Sequence, residues 1–193
     1  MIANSTKLIA GLMAVAVLVF PASAQEKKYK ASLPASVSQT LGADCEISIA
    51  YHRPGVRGRD IWNDESDNKV IGRLVPHDGD PRPWRAGANN ATTITFSKDV
   101  KVEGEDLAAG TYALFMIPRA EGDWTVIFSE NPKQWGTFRY NEEEDALRVE
   151  VTPEDAPHQE WLVYGFDDCA GAAGTAFLRW EKKRIPFKIE AVD

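Results

Sequence analysis

The chain has little of what most catalytic and nucleic-acid-binding sites require. Its 193 residues include only two cysteines and three histidines, and the formal net charge is −7 at pH 7. An acidic chain offers no basic face to a phosphate backbone, so the composition argues against a nucleic-acid partner. The nucleophile elbow, the phosphate-binding loop, the HExxH zinc motif and the GxGxxG fingerprint are all absent. By motif alone, the sequence predicts no catalytic residue, metal site or cofactor.

Long apolar runs are absent after residue 20. The apolar stretch at 8–20 follows Lys7, and the small residues of 22–24 stand just before Gln25. This pattern predicts a secretory signal peptide at 1–24, cleaved after Ala24, because a membrane helix needs about 20 apolar residues. A short membrane anchor is the alternative. We therefore expect a periplasmic or secreted protein with no membrane span after cleavage.

The two cysteines, Cys45 and Cys169, are too far apart in sequence for a CxxC redox motif or a zinc site. Exported proteins mature in an oxidising compartment, which favours a disulfide between them. Such a bond would close a loop of about 125 residues and contribute about 4–5 kcal/mol by the chain-entropy argument. Two separate buried thiols are the alternative.

Helical periodicity is also missing, whereas short alternating segments bounded by Gly, Pro, Asn and Asp recur along the chain. They predict an all-β fold, a single-domain β-sandwich of jelly-roll-like type at 45–193, preceded by an extended lead-in at 25–44. Pro186 cannot donate a ladder hydrogen bond, so its strand is expected to be an edge strand or bulged there. About nine strands are predicted, at 45–51, 93–96, 100–102, 111–117, 124–128, 147–151, 161–166, 175–180 and 185–189.

One long connection, at 52–91, interrupts this regular spacing, and loops of this length in compact domains are commonly functional. It contains six of the eleven arginines, at 53, 57, 59, 73, 82 and 85. In one interpretation the guanidinium groups pair with Asp60, Asp78 or Asp80 and hold the loop together. In the other, at least one guanidinium faces a pocket and binds a ligand.

The tryptophans divide in the same way. Trp124, Trp161 and Trp180 fall within predicted strands and are expected in the core. Loop tryptophans either plug the end of a core or form a ligand platform, and three of the six lie in loop-like sequence: Trp62, Trp84 and Trp135. Trp84 is the first platform candidate, because arginines lie on both sides of it.

The remaining polar clusters of the chain are interpreted as turns or loops rather than as metal sites. Residues 77–80 offer one imidazole and two carboxylates, but a metal site needs three or four convergent ligands. The acids at 64 and 67 lack the rest of a calcium-loop pattern. Both segments are interpreted as polar turns, and 63–68 as a mobile surface loop. The acidic run at 142–145 is interpreted as a solvated loop.

Several strings resemble a bacterial exported family known as domain of unknown function 2911. The resemblance spans about 32–189, and its most specific part is WRAGAN with AT at 84–92. The chain departs from the pattern at His52, at 63–73 and in the run before Trp84. The resemblance implies an exported, mostly β domain and no established activity. Its other strings are SQTLG at 38–42, IAY at 49–51, VRGR at 56–59, LVP at 74–76, LAAGTY at 107–112, WTVIF at 124–128 and WG at 135–136.

Three functions are compatible with these residues. The first is a binding module for a polar or anionic small ligand or a glycan. The second is an envelope structural or interaction protein, in which the arginines only fix the loop. The third is a hydrolase or lyase that uses Tyr51, His52 or Asp60 for proton transfer. The ligand residues predicted for the first function are Arg53, Arg59, Trp84, Arg85, Asn89 and Trp135.

Overall fold

The computed structural model describes residues 31–62 and 83–192, which form ten β-strands and one short 3-10 helix. Most strands begin or end at the Gly, Pro, Asn or Asp residues that the sequence places between apolar segments. The strands are β1 (Leu33–Leu41), β2 (Cys45–Arg53), β3 (Thr92–Phe96), β4 (Val100–Val102), β5 (Glu105–Leu107), β6 (Gly110–Ile117), β7 (Trp124–Ser129), β8 (Asp145–Val151), β9 (Glu154–Ala170) and β10 (Ala173–Ala191).

Six strands form one antiparallel sheet in the order β1-β2-β3-β6-β7-β8. Alternation along β2 buries Ile47, Ile49 and Tyr51 and turns Ser48 and Ala50 outward, as a half-buried strand requires. The register continues this division across the sheet, because Ala50 lies opposite Thr93 and Thr93 opposite Ala113. The sheet therefore has an outer row of small side chains.

The second sheet has four strands in the order β5-β4-β10-β9. The long hairpin of β9 and β10 dominates it, and β10 changes partner along its length. Its pairing with β9 ends at Arg184 opposite Glu154, and its pairing with β4 begins at Ile189 opposite Val102. Pro186 lies between the two ladders, where its missing N–H removes no ladder bond. β10 is thus an interior strand whose proline stands at the change of partner, rather than an edge strand.

The inward faces of the two sheets enclose one main core, which confirms the predicted all-β sandwich. Four tryptophans pack at one place in this core. Trp62 makes edge contacts with Trp84, Trp124 and Trp180, at ring separations of 5.1–5.9 Å, and Trp84 stacks on Trp180 at 5.9 Å. Such pairs add to the free energy gained from burying the rings. Two of the four rings come from the long connection, so its ends are part of the core.

Several sequence expectations need correction. The tryptophan predicted as core at 161 is 41 % exposed, because it lies on the outer side of β9. Cys45 and Cys169 are free cysteines, the first buried and the second exposed, so the predicted disulfide is not formed. The extended lead-in at 25–44 includes β1, which is hydrogen-bonded to β2 along its whole length. Burial raises the pKa of both thiols.

Two expectations lie outside the described residues: the signal peptide at 1–24, and the polar segments of 63–82. They remain predictions. Within the described ranges, no helix is long and apolar enough to cross a membrane. No group of three or more histidine, cysteine or acidic side chains could hold a metal ion in those ranges.

Candidate functional site

The two described ends of the long connection attach to different sheets. Val56 N–H donates to Glu160 O on β9 at 2.8 Å. Trp84 exchanges two backbone hydrogen bonds with Met116 on β6, at 2.7 and 2.9 Å. Trp84 is only 5 % exposed. The connection therefore bridges the sandwich through buried contacts, and Trp84 is a core residue that presents no ring face to a ligand.

The arginines of this connection that the structure describes donate hydrogen bonds to backbone carbonyls. Arg53 Nε donates to Leu162 O at 2.9 Å, and Arg59 donates to Val56 O and Gly55 O at 3.0 and 2.7 Å. The Arg59 guanidinium also lies 5.9 Å from the Trp180 ring centroid. Charged donors make strong hydrogen bonds to buried carbonyls. Arg53 and Arg59 thus hold the first part of the connection against β9 and the core.

Residues 84–92 form a turn that is bonded to itself. Ala86 is buried with φ of 46°, a strained value for a residue with a side chain, and Gly87 has no room for a Cβ because Thr92 Oγ1 would lie 2.8 Å away. The hydroxyls of Thr92 and Tyr164 both donate to Ala86 O, at 3.1 and 2.9 Å. Burial raises the pKa of Tyr164 well above its usual value. The most specific family string is therefore explained by the structure of this turn.

Arg85 connects the turn to residues 130–136. Its Nη1 donates to Asn89 O at 2.7 Å, and its guanidinium lies 5.3 Å from the Trp135 ring centroid. Burial lowers the pKa of Arg85. Gly136 has φ of 65°, and a Cβ there would lie 2.9 Å from Arg85 Nη1. The half-buried Arg85 guanidinium therefore helps to place Trp135, and a side chain at position 136 would push that guanidinium aside.

The segment 130–145 covers part of the outer face of the six-stranded sheet. Ala91 N–H donates to Gln134 O at 3.0 Å, and Asn90 and Trp135 form an isolated β-bridge. Farther along, Tyr140 packs edge-on against Phe115 at 5.3 Å, over a small second apolar cluster. The covering segment stops short of β1 and β2, and no other segment within 31–62 and 83–192 covers the outer face of those strands at the cleft.

A cleft of about 560 Å³ occupies this uncovered region. Its floor is the outer face of β1 to β3, where Ala50 and Thr93 are small enough to leave space. One wall is the segment 132–135, and the rim carries His52, Asn90 and Lys133. The lining residues are Pro34, Ala35, Ala50, Tyr51, His52, Asn90, Ala91, Thr93, Pro132, Lys133, Gln134 and Trp135.

A second cavity of about 390 Å³ adjoins the first and shares His52, Asn90 and Trp135 with it. Asn89 lies in this second part, and its amide donates to Ser32 O at 3.3 Å. The left-handed φ of 61° at Asn89 is one that asparagine tolerates. Together the two cavities, which we call the outer-face cleft, lie in the size range of small-molecule sites.

One exposed aromatic side chain, Trp135, lines this cleft, and a second, Phe138, lies against Trp135 outside the cleft lining. Trp135 and Phe138 stack at 5.4 Å with an angle of 19°, and they are 58 % and 81 % exposed. Gln134 behaves differently, because it is only 7 % exposed and donates to Asn131 O at 2.9 Å. Trp135 therefore provides contact surface at the cleft, whereas Gln134 fixes the loop that carries it.

The structure separates the ligand residues predicted from the sequence into two groups. Arg85, Asn89 and Trp135 lie together, with Asn89 and Trp135 lining the outer-face cleft. Arg53 and Arg59 lie on the side of β9 and the core, as described above. Of the residues considered for proton transfer, Tyr51 faces the core against Tyr164 at 4.8 Å, whereas His52 faces outward into the cleft.

Sequence reasoning missed Ala50, Asn90, Thr93 and Lys133. The alternation of β2 already indicates that Ala50 and His52 share an outward face. Nothing local in the sequence shows that residues 130–135 come to lie beside that face, because the contact joins segments about 80 residues apart.

Comparison with known proteins places the chain in a family without supplying an activity. No curated protein and no solved structure shows significant similarity to it. One family model, described as a protein of unknown function (DUF2911), matches residues 32–189. That match covers β1 to β9 completely, β10 as far as Ile189, and all described residues of the outer-face cleft except Ala31. The chain therefore belongs to the DUF2911 family.

Proposed function

We propose that this protein is a binding module that takes a polar small ligand or a glycan in the outer-face cleft. The observation that carries the proposal is the cleft of about 560 Å³, which combines a floor of small side chains with an exposed tryptophan. Ligand sites typically pair apolar and aromatic surface with a few polar groups that fix orientation. His52, Asn90 and Lys133 supply such groups here.

The position of Trp135 supports the proposal further. A β-bridge to Asn90 holds its main chain, and contacts with the Arg85 guanidinium and the Phe138 ring hold its side chain. A ring placed before the ligand arrives loses little conformational entropy on binding. Arg85 acts from behind the ring as a positioning residue, and Trp135 makes the contact.

The first test fills the cleft. Ala50→Tyr places a large side chain on the floor of the cleft, while Ser48→Tyr adds the same group to the outer face of β2, outside the cleft lining. The protein and both variants are titrated calorimetrically with a panel of neutral sugars, acidic sugars, dicarboxylates and amino acids. We expect at least one class to bind the wild type, Ala50→Tyr to abolish that binding, and Ser48→Tyr to leave it unchanged.

A second pair of variants removes tryptophan surface. Trp135→Ala is expected to weaken binding by about tenfold or more, in line with the loss of an aromatic stacking partner. Trp161→Ala removes a comparably exposed tryptophan on β9, outside the cleft lining, and is expected to leave affinity unchanged. Binding that survives Ala50→Tyr, or the absence of any bound class in the panel, contradicts the proposal.

A further inference from the structure

The whole chain is acidic, whereas the described lining of the outer-face cleft contains a lysine and no acidic residue. The sequence has 29 acidic and 22 basic residues. Among the described residues that line the two cavities of the cleft, none is Asp or Glu, whereas Lys133 and His52 are both present. A cleft of about 480 Å³ on the four-stranded sheet has a mixed lining instead, in which Glu103, Asp168 and Glu190 stand beside Lys101 and Lys188.

Lys133 is available to a ligand. It is exposed at the cleft rim, and within residues 31–62 and 83–192 it forms no ion pair. Among the other described lysines, Lys101 pairs with Asp106 and Lys183 with Asp155, whereas Lys188, which is also exposed, forms no ion pair with a described residue. An ammonium group beside a cleft without carboxylates attracts an anion, and the low-dielectric wall of the cleft strengthens that attraction.

The aromatic surface beside Lys133 points to the rest of the ligand. Trp135 is separated from Lys133 by a single residue and lines the cleft, and its ring is stacked against Phe138. The apolar C–H face of a pyranose ring packs on such a surface, while its hydroxyls need hydrogen-bonding groups of the kind that Asn90 and His52 offer. The Trp135 ring, the Lys133 ammonium group and the Asn90 amide thus lie along one wall and the rim of the outer-face cleft.

On the basis of the proposed function, we propose that the ligand is an acidic saccharide. Its pyranose ring packs on the part of Trp135 that lines the cleft, and its carboxylate pairs with Lys133. The inference names the ligand class of the outer-face cleft and depends on that cleft being a binding site. The same chemistry occurs in a free sugar acid and in a chain of uronic acids, and the experiment separates these sources by length.

The experiment compares a trimer of galacturonic acid with its fully methyl-esterified form, which keeps the rings and removes the negative charges. Galacturonic acid itself provides the single-residue arm. Calorimetric titration is expected to show the acidic trimer binding at least tenfold more tightly than the ester. A trimer that binds more tightly than the monomer indicates a polymeric source, and equal affinities indicate a free sugar acid.

Charge variants at one position complete the test. Lys133→Gln is expected to weaken binding of the acidic trimer about tenfold and to leave the ester unchanged, while Lys133→Arg restores most of the affinity. Lys182→Gln, a distant exposed lysine on β10, serves as the control. Equal binding of acid and ester, no binding of the acidic trimer, or no effect of Lys133→Gln overturns the inference. If another class in the panel then binds and Ala50→Tyr still blocks it, the proposed function stands.

Discussion

At the scale of single residues, Gly136 connects the turn at 84–92 to the cleft. A side chain at this position would meet two separate effects, because the positive φ strains the backbone and the Cβ would displace Arg85. Gly122 shares the first effect, with φ of 78°, but a Cβ there would meet nothing within 4 Å. A comparison of alanine variants at Gly136 and Gly122 therefore separates the cost of backbone strain from the effect of displacing Arg85.

We expect Gly136→Ala and Gly122→Ala each to lower the free energy of unfolding by about 1 kcal/mol, the usual cost of a left-handed alanine. The Arg85 guanidinium is the end of a flexible side chain, so its displacement adds little to that cost. It does move the cation away from Trp135. Gly136→Ala is thus expected to weaken ligand binding several-fold, whereas Gly122→Ala is not. Urea unfolding and calorimetric titration of both variants check this, and equal affinities would contradict the role given to Arg85.

At the scale of elements, the sequence predicted the apolar strands well and the polar ones poorly. β2, β6 and β7 follow from alternation or from a continuous apolar run. The sequence predicts only an extended lead-in at β1, because LPASVSQTL is weakly apolar. The segment becomes a strand through its hydrogen bonds with β2. The charged run at 181–184 interrupts the apolar pattern, so the sequence does not predict that β10 is one continuous strand. The strand tolerates these polar residues because its hairpin with β9 is long and partly exposed.

The sequence predicts the long connection as a single loop with a ligand site. Among its described residues, Trp62 and Trp84 belong to the core, whereas Asn89 and Asn90 line the outer-face cleft. Trp84→Ala is expected to cost about 3–5 kcal/mol in unfolding free energy, because it removes a buried ring stacked on Trp180. Trp161→Ala should cost roughly half as much, since 41 % of that side chain is already exposed. Denaturant unfolding of the two variants measures the difference, and equal losses would place Trp84 outside the core.

At the scale of the whole molecule, the two sheets leave one outer face only partly covered. Residues 130–145 pack over β6 and β7, and the uncovered outer face of β1 to β3 becomes the floor of the cleft. The sequence indicates which residues of β2 face outward, but not which distant segment lies beside them. The fold class was therefore predictable from local patterns, while the candidate site depends on long-range packing.

The central claim is that the outer-face cleft binds an acidic saccharide. Backbone amide chemical shifts of the protein, followed during titration with the galacturonic acid trimer, test it most directly. We expect the largest changes in amide chemical shift at residues 34–35, 50–52, 89–93 and 132–135, together with a change at the Trp135 indole N–H. Shift changes confined to the β9–β10 hairpin or to the cleft of the four-stranded sheet, or no changes at millimolar ligand, would contradict it.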